Sequence, residues 1–478
     1  MKSQITDALR GSSSQEITDF SHWVASPAHV TSPKLRALWS FLSSFAPQFD
    51  DPGCTRESAF GALYGAKKYS RLPINNLLSD LWYHYLDFLA YQKLKKNPAQ
   101  RQQWISETFQ ERNQLPMLAK QIDRWERQLE AITTRSDGYH QQQAQLQAQK
   151  DRFFLRQSQR NTDLSLQRQN DHLDQAFFIR KYRLACAMLN RNKLLQTSYA
   201  FSLQSELETA LQHWPHLQAI PAIEIYRRIL TLLQNPDAVE HYQQFKAYLL
   251  EHETTFPDFE RNELYGYALN HCIQRINYGH TAFYQEILEL YQKLLPQGLL
   301  WQEGHLSIWM FRNIVTAGIR TESFSWTQSF IQEYQQYLPP EGKENAVCYN
   351  LAAYHYALRD YQSALQQLHG VEFTDNFYQL GAKTIQLKSY FELGEGEAFH
   401  SLTEAFRKYL ARHGKLSEYH RTSNQAFLRL AKRLFKLKQS PKAARQYAVK
   451  KKELGILIEE TKPLANKDWL ATEWGSLA

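Results

Sequence analysis

Residues 349–365 read Tyr349-Asn350-Leu351-Ala352-Ala353-Tyr354-His355-Tyr356-Ala357-Leu358-Arg359-Asp360-Tyr361-Gln362-Ser363-Ala364-Leu365. Apolar residues recur at three- and four-residue spacing on both sides of the polar step Arg359-Asp360, so the stretch predicts two helices joined by a tight turn. Ala352 on the first helix and Ala364 on the second let the pair approach closely. Leu351, Tyr356 and Leu368 fill the space between them. The register returns after 34 residues, where Leu351 aligns with Ile385, Tyr356 with Tyr390, Ala364 with Ala398 and Leu368 with Leu402. It departs at Gln386, which aligns with Ala352, and the turn Leu393-Gly394-Glu395-Gly396 is shifted.

This stretch closely resembles the core of a tetratricopeptide repeat (TPR). That family places a Leu and a small residue on its first helix, a Tyr further along, a tight turn, and an Ala-hydrophobic pair on its second. Leu351-Ala352, Tyr356, Arg359-Asp360-Tyr361 and Ala364-Leu365 fill those roles. The usual proline after the second helix is missing from both copies, and the resemblance covers about residues 344–412. It implies a superhelix whose first helices line a concave face holding a peptide or helix of another protein. On that implication Asn350, Tyr354 and Ala357 in one unit, and Thr384 and Lys388 in the next, are the partner-binding candidates. Asn suits an extended backbone and Lys a carboxylate.

Outward from this segment, residues 220–457 divide into helix pairs: 222–233 with 238–250, 260–277 with 280–295, 305–318 with 323–337, 344–358 with 361–370, 377–392 with 395–412, and 420–437 with 440–455. Pairs that each bury a face only against their neighbours build an α-solenoid. Residues 1–97 predict a separate helical module. Ser32-Pro33 and Thr55 start helices in it, and 73–91 carries an apolar stripe. Residues 98–200 form a long helical, coiled-coil-like spacer. Its seven-residue register, Leu115, Leu118, Ile122, Trp125, Leu129 and Ile132, continues through Tyr139, Leu146 and Phe153 and favours one helix over 115–158, the alternative being a turn at Ser136-Asp137-Gly138 that folds it into a hairpin; the Gln-rich stretch 141–149 is expected as a solvated face. A further helix is expected over 164–195. The expected organisation is an N-terminal module (1–97), spacer (98–200), repeat domain (201–457) and C-terminal tail (458–478), all-α throughout. Only 18 Gly and 16 Pro in 478 residues agree with long helices.

The net charge of +8 comes from one segment. Between Arg429 and Lys452 stand ten Lys or Arg and no acid. Lys432, Arg433, Lys436, Lys438, Lys442, Arg445, Lys450, Lys451 and Lys452 form a candidate basic patch for nucleic acid or an acidic partner. The layout of helices 55–64 and 73–91 offers a second nucleic-acid reading, a helix-turn-helix. Cys54, Cys186, Cys272 and Cys348 form no disulfide framework or zinc knuckle by spacing. His213 and His216 lack further ligands, and His271 and Cys272 point about 100° apart on a helix. No HExxH, phosphate loop or GxSxG elbow occurs. The sequence therefore predicts a non-catalytic, cytoplasmic interaction scaffold with no catalytic residue, metal or cofactor and no membrane insertion. Its expected partner is another protein or peptide. The alternatives are nucleic acid at the basic patch and self-association through the long helices.

Overall fold

The computed structural model describes residues 1–156, 163–195, 197–302, 304–371, 376–412, 416–441 and 446–477. Among them are 24 α-helices and one two-stranded hairpin, Trp301–Gln302 with His305–Leu306, so the fold is all-α. No helix among the described residues is long and apolar enough to cross a membrane. The chain divides into two compact units, Met1–Gln234 with His252–Phe256, and Asn235–Glu251 with Pro257–Ala478.

In the first unit, local chemistry sets the helix ends. Ser32 caps Pro33–Ser43 by accepting the Leu35 N–H, and Thr55 caps Arg56–Tyr64 through the Ser58 N–H. A short helix, Gln4–Leu9, precedes them and opens on a Ser3–Thr6 capping box. Ile74, Leu78, Leu81, Tyr85 and Phe88 of helix Arg71–Lys95 pack with Phe20, Leu38 and Leu42 in one apolar core.

The single spacer helix expected over 115–158 is not formed. Helix Leu115–Glu130 ends at Ala131, residues 131–136 are not helical, and Asp137–Arg156 begins a second helix. Ile132, Thr133 and Thr134 are β-branched and lose side-chain freedom in a helix. The Arg135 N–H instead donates to the Thr255 carbonyl at 3.2 Å. The two helices face one core, where Leu118, Ile122, Trp125 and Leu129 meet Leu146, with Ile132 and Phe153 alongside. The seven-residue register survives the break because both helices feed that core. Gly138 lies in the first turn of the second helix, without the positive φ a tight turn would demand.

The Gln-rich stretch is also not the solvated face the sequence predicts. Gln143, Gln147 and Gln149 are buried. Gln149 Nε2 donates to Gln110 Oε1 at 2.5 Å, Gln143 Nε2 donates to Tyr139 Oη at 2.9 Å, and Gln121 donates to Gln102. Carboxamides carry both donors and acceptors, so they can satisfy one another where an apolar side chain would have packed.

In the second unit successive helices stack as pairs. Helix Ile308–Arg320 packs on Phe324–Tyr334 and on the next first helix, Lys343–Ala357. Lys343–Ala357 packs in turn on Tyr361–Gln367 and on Asn376–Leu393, which pairs with Gly396–Arg412. Helix Glu418–Lys438 follows, packed on Gly396–Arg412 and on Tyr447–Glu460. The turns inside four consecutive pairs share one stereochemistry. Gly279, Glu322, Arg359 and Gly394 each sit at positive φ just past the first helix. After each, the next N–H reaches back to a carbonyl five residues earlier, as Asp360 does to His355 at 3.0 Å and Glu395 to Tyr390 at 3.0 Å. The Asp360 side chain then caps the second helix through the Ser363 N–H. Ala352 and Ala364, both 0% exposed, meet at the pair interface with Leu368, Ala382 and Ile385. Close approach is tighter still at Gly318, where a Cβ would fall 2.1 Å from Thr327 Oγ1 of the partner helix.

Candidate partner-binding face and basic stripe

The candidates expected on the first helices fall in different settings. Asn350 is 1% exposed and its Nδ2 donates to the Ala346 carbonyl at 2.7 Å, so its amide is turned onto its own helix. Tyr354 is buried, its ring edge-on to Phe324 and its hydroxyl 3.5 Å from Gln328 Oε1 of the preceding pair. Ala357 and Thr384 are half-buried, and Thr384 Oγ1 donates to the Leu380 carbonyl at 2.8 Å. Asn350 and Tyr354 thus lie in the seam between helices, not on an open face.

Residues not singled out by the sequence gather in this region, with Trp309 exposed, Arg312 and Tyr349 half-buried and Tyr378 buried. Three successive first helices contribute Trp309 and Arg312, Tyr349, and Tyr378. The Arg312 guanidinium lies 5.8, 5.4 and 5.9 Å from the Trp309, Tyr349 and Tyr378 ring centroids. Tyr349 and Tyr378 meet edge to face at 4.9 Å, and the Tyr378 hydroxyl donates to the Ile308 carbonyl at 3.3 Å. Trp309 is 48% exposed. Three aromatic rings thus surround the guanidinium within cation–π range. Arg312 has no hydrogen bond or ion pair to an acceptor among the described residues. The sequence signal was available in the aromatics of the first helices, but only the fold brings them around one arginine.

Lys388 is covered by the C-terminal segment. Its Nζ donates to Asn466 Oδ1 at 2.7 Å and stands 5.4 Å from the Trp469 ring centroid. Burial, and then the nearby Arg320, push its pKa down to about 8.

The basic patch separates into parts. Successive residues on a helix are about 100° apart, which puts Arg429, Lys432, Arg433 and Lys436 on one solvent edge of Glu418–Lys438. All four are exposed. Arg407 and Lys408 join them across one groove, and Lys450 across another. Glu404 neutralises part of the stripe by pairing with Lys432 at 3.1 Å and Arg407 at 3.0 Å. Lys438 faces away, 4.4 Å from the Phe391 ring centroid and 3.6 Å from Glu392. Lys451 is committed to the Leu477 carbonyl, and Lys452 is exposed. Lys442 and Arg445 lie outside the described residues.

Nucleophile chemistry finds no support at His271-Cys272. The Cys272 thiol donates to Tyr242 Oη at 3.2 Å, and burial pushes its pKa up to about 12, the reverse of an activated thiolate. His271 stacks on Tyr242 with ring centroids 4.9 Å apart. His213 and His216 are exposed. Among the described residues no three His, Cys, Asp or Glu side chains gather as metal ligands. Comparison with protein-family models, curated proteins and solved structures finds no match to the chain.

Proposed function

We propose that this protein is a non-catalytic interaction scaffold that holds an acidic segment of a partner protein on the first-helix face of TPR-like helix pairs. The observation that carries this reading is Arg312, clamped by three aromatic rings from three helices with its donors unmatched. A carboxylate accepts two parallel N–H bonds from a guanidinium. The test is affinity capture from the native host by wild type and by Arg312→Ala, with nuclease in a parallel arm. Loss of a nuclease-resistant protein partner on Arg312→Ala supports the reading. Equal capture by both chains contradicts it.

The exposed stripe of Arg407, Lys408, Arg429, Lys432, Arg433, Lys436 and Lys450 favours a second reading, association with nucleic acid. Helix Arg71–Lys95 fits that role less well, because its outer face carries Asp80 and Asp87, which repel phosphate. Binding through the stripe would weaken steeply with salt, with a log–log slope of about −0.7 per phosphate neutralised on a single strand. Charge-reversing Lys432 and Lys436 would flatten that slope.

A further inference from the structure

The segment expected to be a tail folds back onto the candidate face. Ala465 N–H donates to the Ser423 carbonyl at 3.2 Å, Asn466 turns the chain at a φ of 53°, and residues Lys467–Ser476 form a helix. Trp469 packs edge-on against Phe391 at 4.9 Å and Phe427 at 5.9 Å, both on first helices. Trp474 Nε1 donates to the Lys451 carbonyl at 2.7 Å, and its ring lies against Gly455, where a Cβ would come within 2.6 Å. Leu470 is 0% exposed.

This docking is apolar in its strength and poorly matched in its charges. Lys388 is covered by the segment yet ion-paired with no carboxylate among the described residues; its closest polar partner is the neutral Asn466 amide. Asp468 and Glu392 act on it only through space, and Glu392 is engaged by Lys438. Glu473 of the tail helix is brought beside Glu392, and burial followed by that like charge raises its pKa. A half-buried cation with no carboxylate bonded to it among the described residues, and two facing carboxyl groups, are features of an occupant that can be bettered.

We infer that helix Lys467–Ser476, with Asn466 before it, is a built-in occupant of the first-helix face, displaced by a partner segment that carries a carboxylate where Asn466 lies and an aromatic residue where Trp469 lies. The inference rests on the scaffold reading and adds its regulation. The part of the face around Lys388 is covered in the isolated chain, and a competing segment gains the ion pair with Lys388 that the tail does not make. Apparent affinity for any competitor is reduced by the fraction of chains in which the tail is docked.

The test uses full-length chains and a fluorescein-labelled peptide of residues 462–477 carrying Asn466→Asp. Anisotropy titration should give binding to Trp469→Ala about tenfold tighter or more than to wild type, because the latch is weakened. Full-length Asn466→Asp should bind the peptide more weakly than wild type, because its own tail then pairs with Lys388. Equal affinity for all three chains overturns the inference. Amide exchange on unmodified wild type decides independently of whether Trp469→Ala folds. Exchange of residues 467–476 through an opening that leaves 418–438 protected supports it, and exchange of both segments together overturns it. Failure of this test leaves Arg312-dependent capture standing, whereas nuclease-sensitive capture would end the scaffold reading and leave a docked tail helix without a partner segment to displace it.

Discussion

Replacing Lys388 with Met removes a charge that has no ion-pair partner among the described residues while keeping a side chain of similar length. Holding the ammonium charged with a pKa of about 8, against its ordinary 10.5, costs about 3 kcal/mol at pH 7, at 1.36 kcal/mol for each tenfold step. The variant also loses the hydrogen bond to Asn466 Oδ1, worth about 1 kcal/mol. Lys388→Met should therefore stabilise the unit by about 2 kcal/mol at pH 7. The pH dependence gives a sharper test. The folded pKa of this lysine lies below its unfolded value, so the penalty is full below about pH 8 and disappears as pH rises towards 10.5. Wild type gains on the variant over that window, and at pH 9.5 the difference should shrink to well under 1 kcal/mol. Arg320, Asp468 and Glu392 are the other charged groups that face Lys388. Urea denaturation of both chains at pH 7 and pH 9.5, followed by circular dichroism, reads the difference directly. A variant that is destabilised at pH 7, or a difference independent of pH, refutes the claim that Lys388 is a half-buried, unpaired cation.

Three further outcomes follow from packing. Ala364→Trp should lower thermal stability by the equivalent of about 3 kcal/mol or more, since Ala364 is fully buried between paired helices and overpacking alone typically costs about 1–3 kcal/mol; an unchanged melting temperature would refute the interface. Gly138→Ala should raise the urea midpoint, by the equivalent of up to about 1 kcal/mol of stability, because Gly138 is helical and an added Cβ meets only Ser136 Oγ at 3.7 Å; a fall would place the turn at Gly138 itself. Cys272 should resist alkylation by iodoacetamide at pH 8 in the native protein, with its thiol buried and its pKa about 12, and react only on unfolding; mass spectrometry of the modified peptide checks this.

Helix existence was legible in the sequence where an apolar period met a capping residue. Ser32 and Thr55 start their helices where the local chemistry requires, and the helix pairs over 222–412 fall close to their expected bounds, whereas the helix expected over 440–455 is Tyr447–Glu460. The spacer break was not legible. Ile132, Tyr139, Leu146 and Phe153 keep a seven-residue spacing across it, and periodicity cannot distinguish one long helix from two that share a core. The buried glutamines were misread for a related reason: a carboxamide is hydrophilic by composition but can be satisfied by another carboxamide inside. On the candidate face, spacing identified first helices but not which neighbour covers each residue, so Asn350 and Tyr354 lie in a seam while Arg312 and Trp309 were passed over. The C-terminal helix had a signal in Trp469, Leu470, Glu473, Trp474 and Leu477, all within one helical stripe, yet its short length and distance from the repeats concealed it.

The central claim is that the first-helix face around Arg312, and not the basic stripe, holds the partner. A photo-crosslinking residue, p-benzoylphenylalanine, placed at the exposed Trp309 in one full-length chain and at Lys432 in another, compares the two surfaces in the native host. The account predicts a discrete protein adduct from position 309 that persists after nuclease and at high salt. An adduct formed only from position 432 and abolished by nuclease would contradict it.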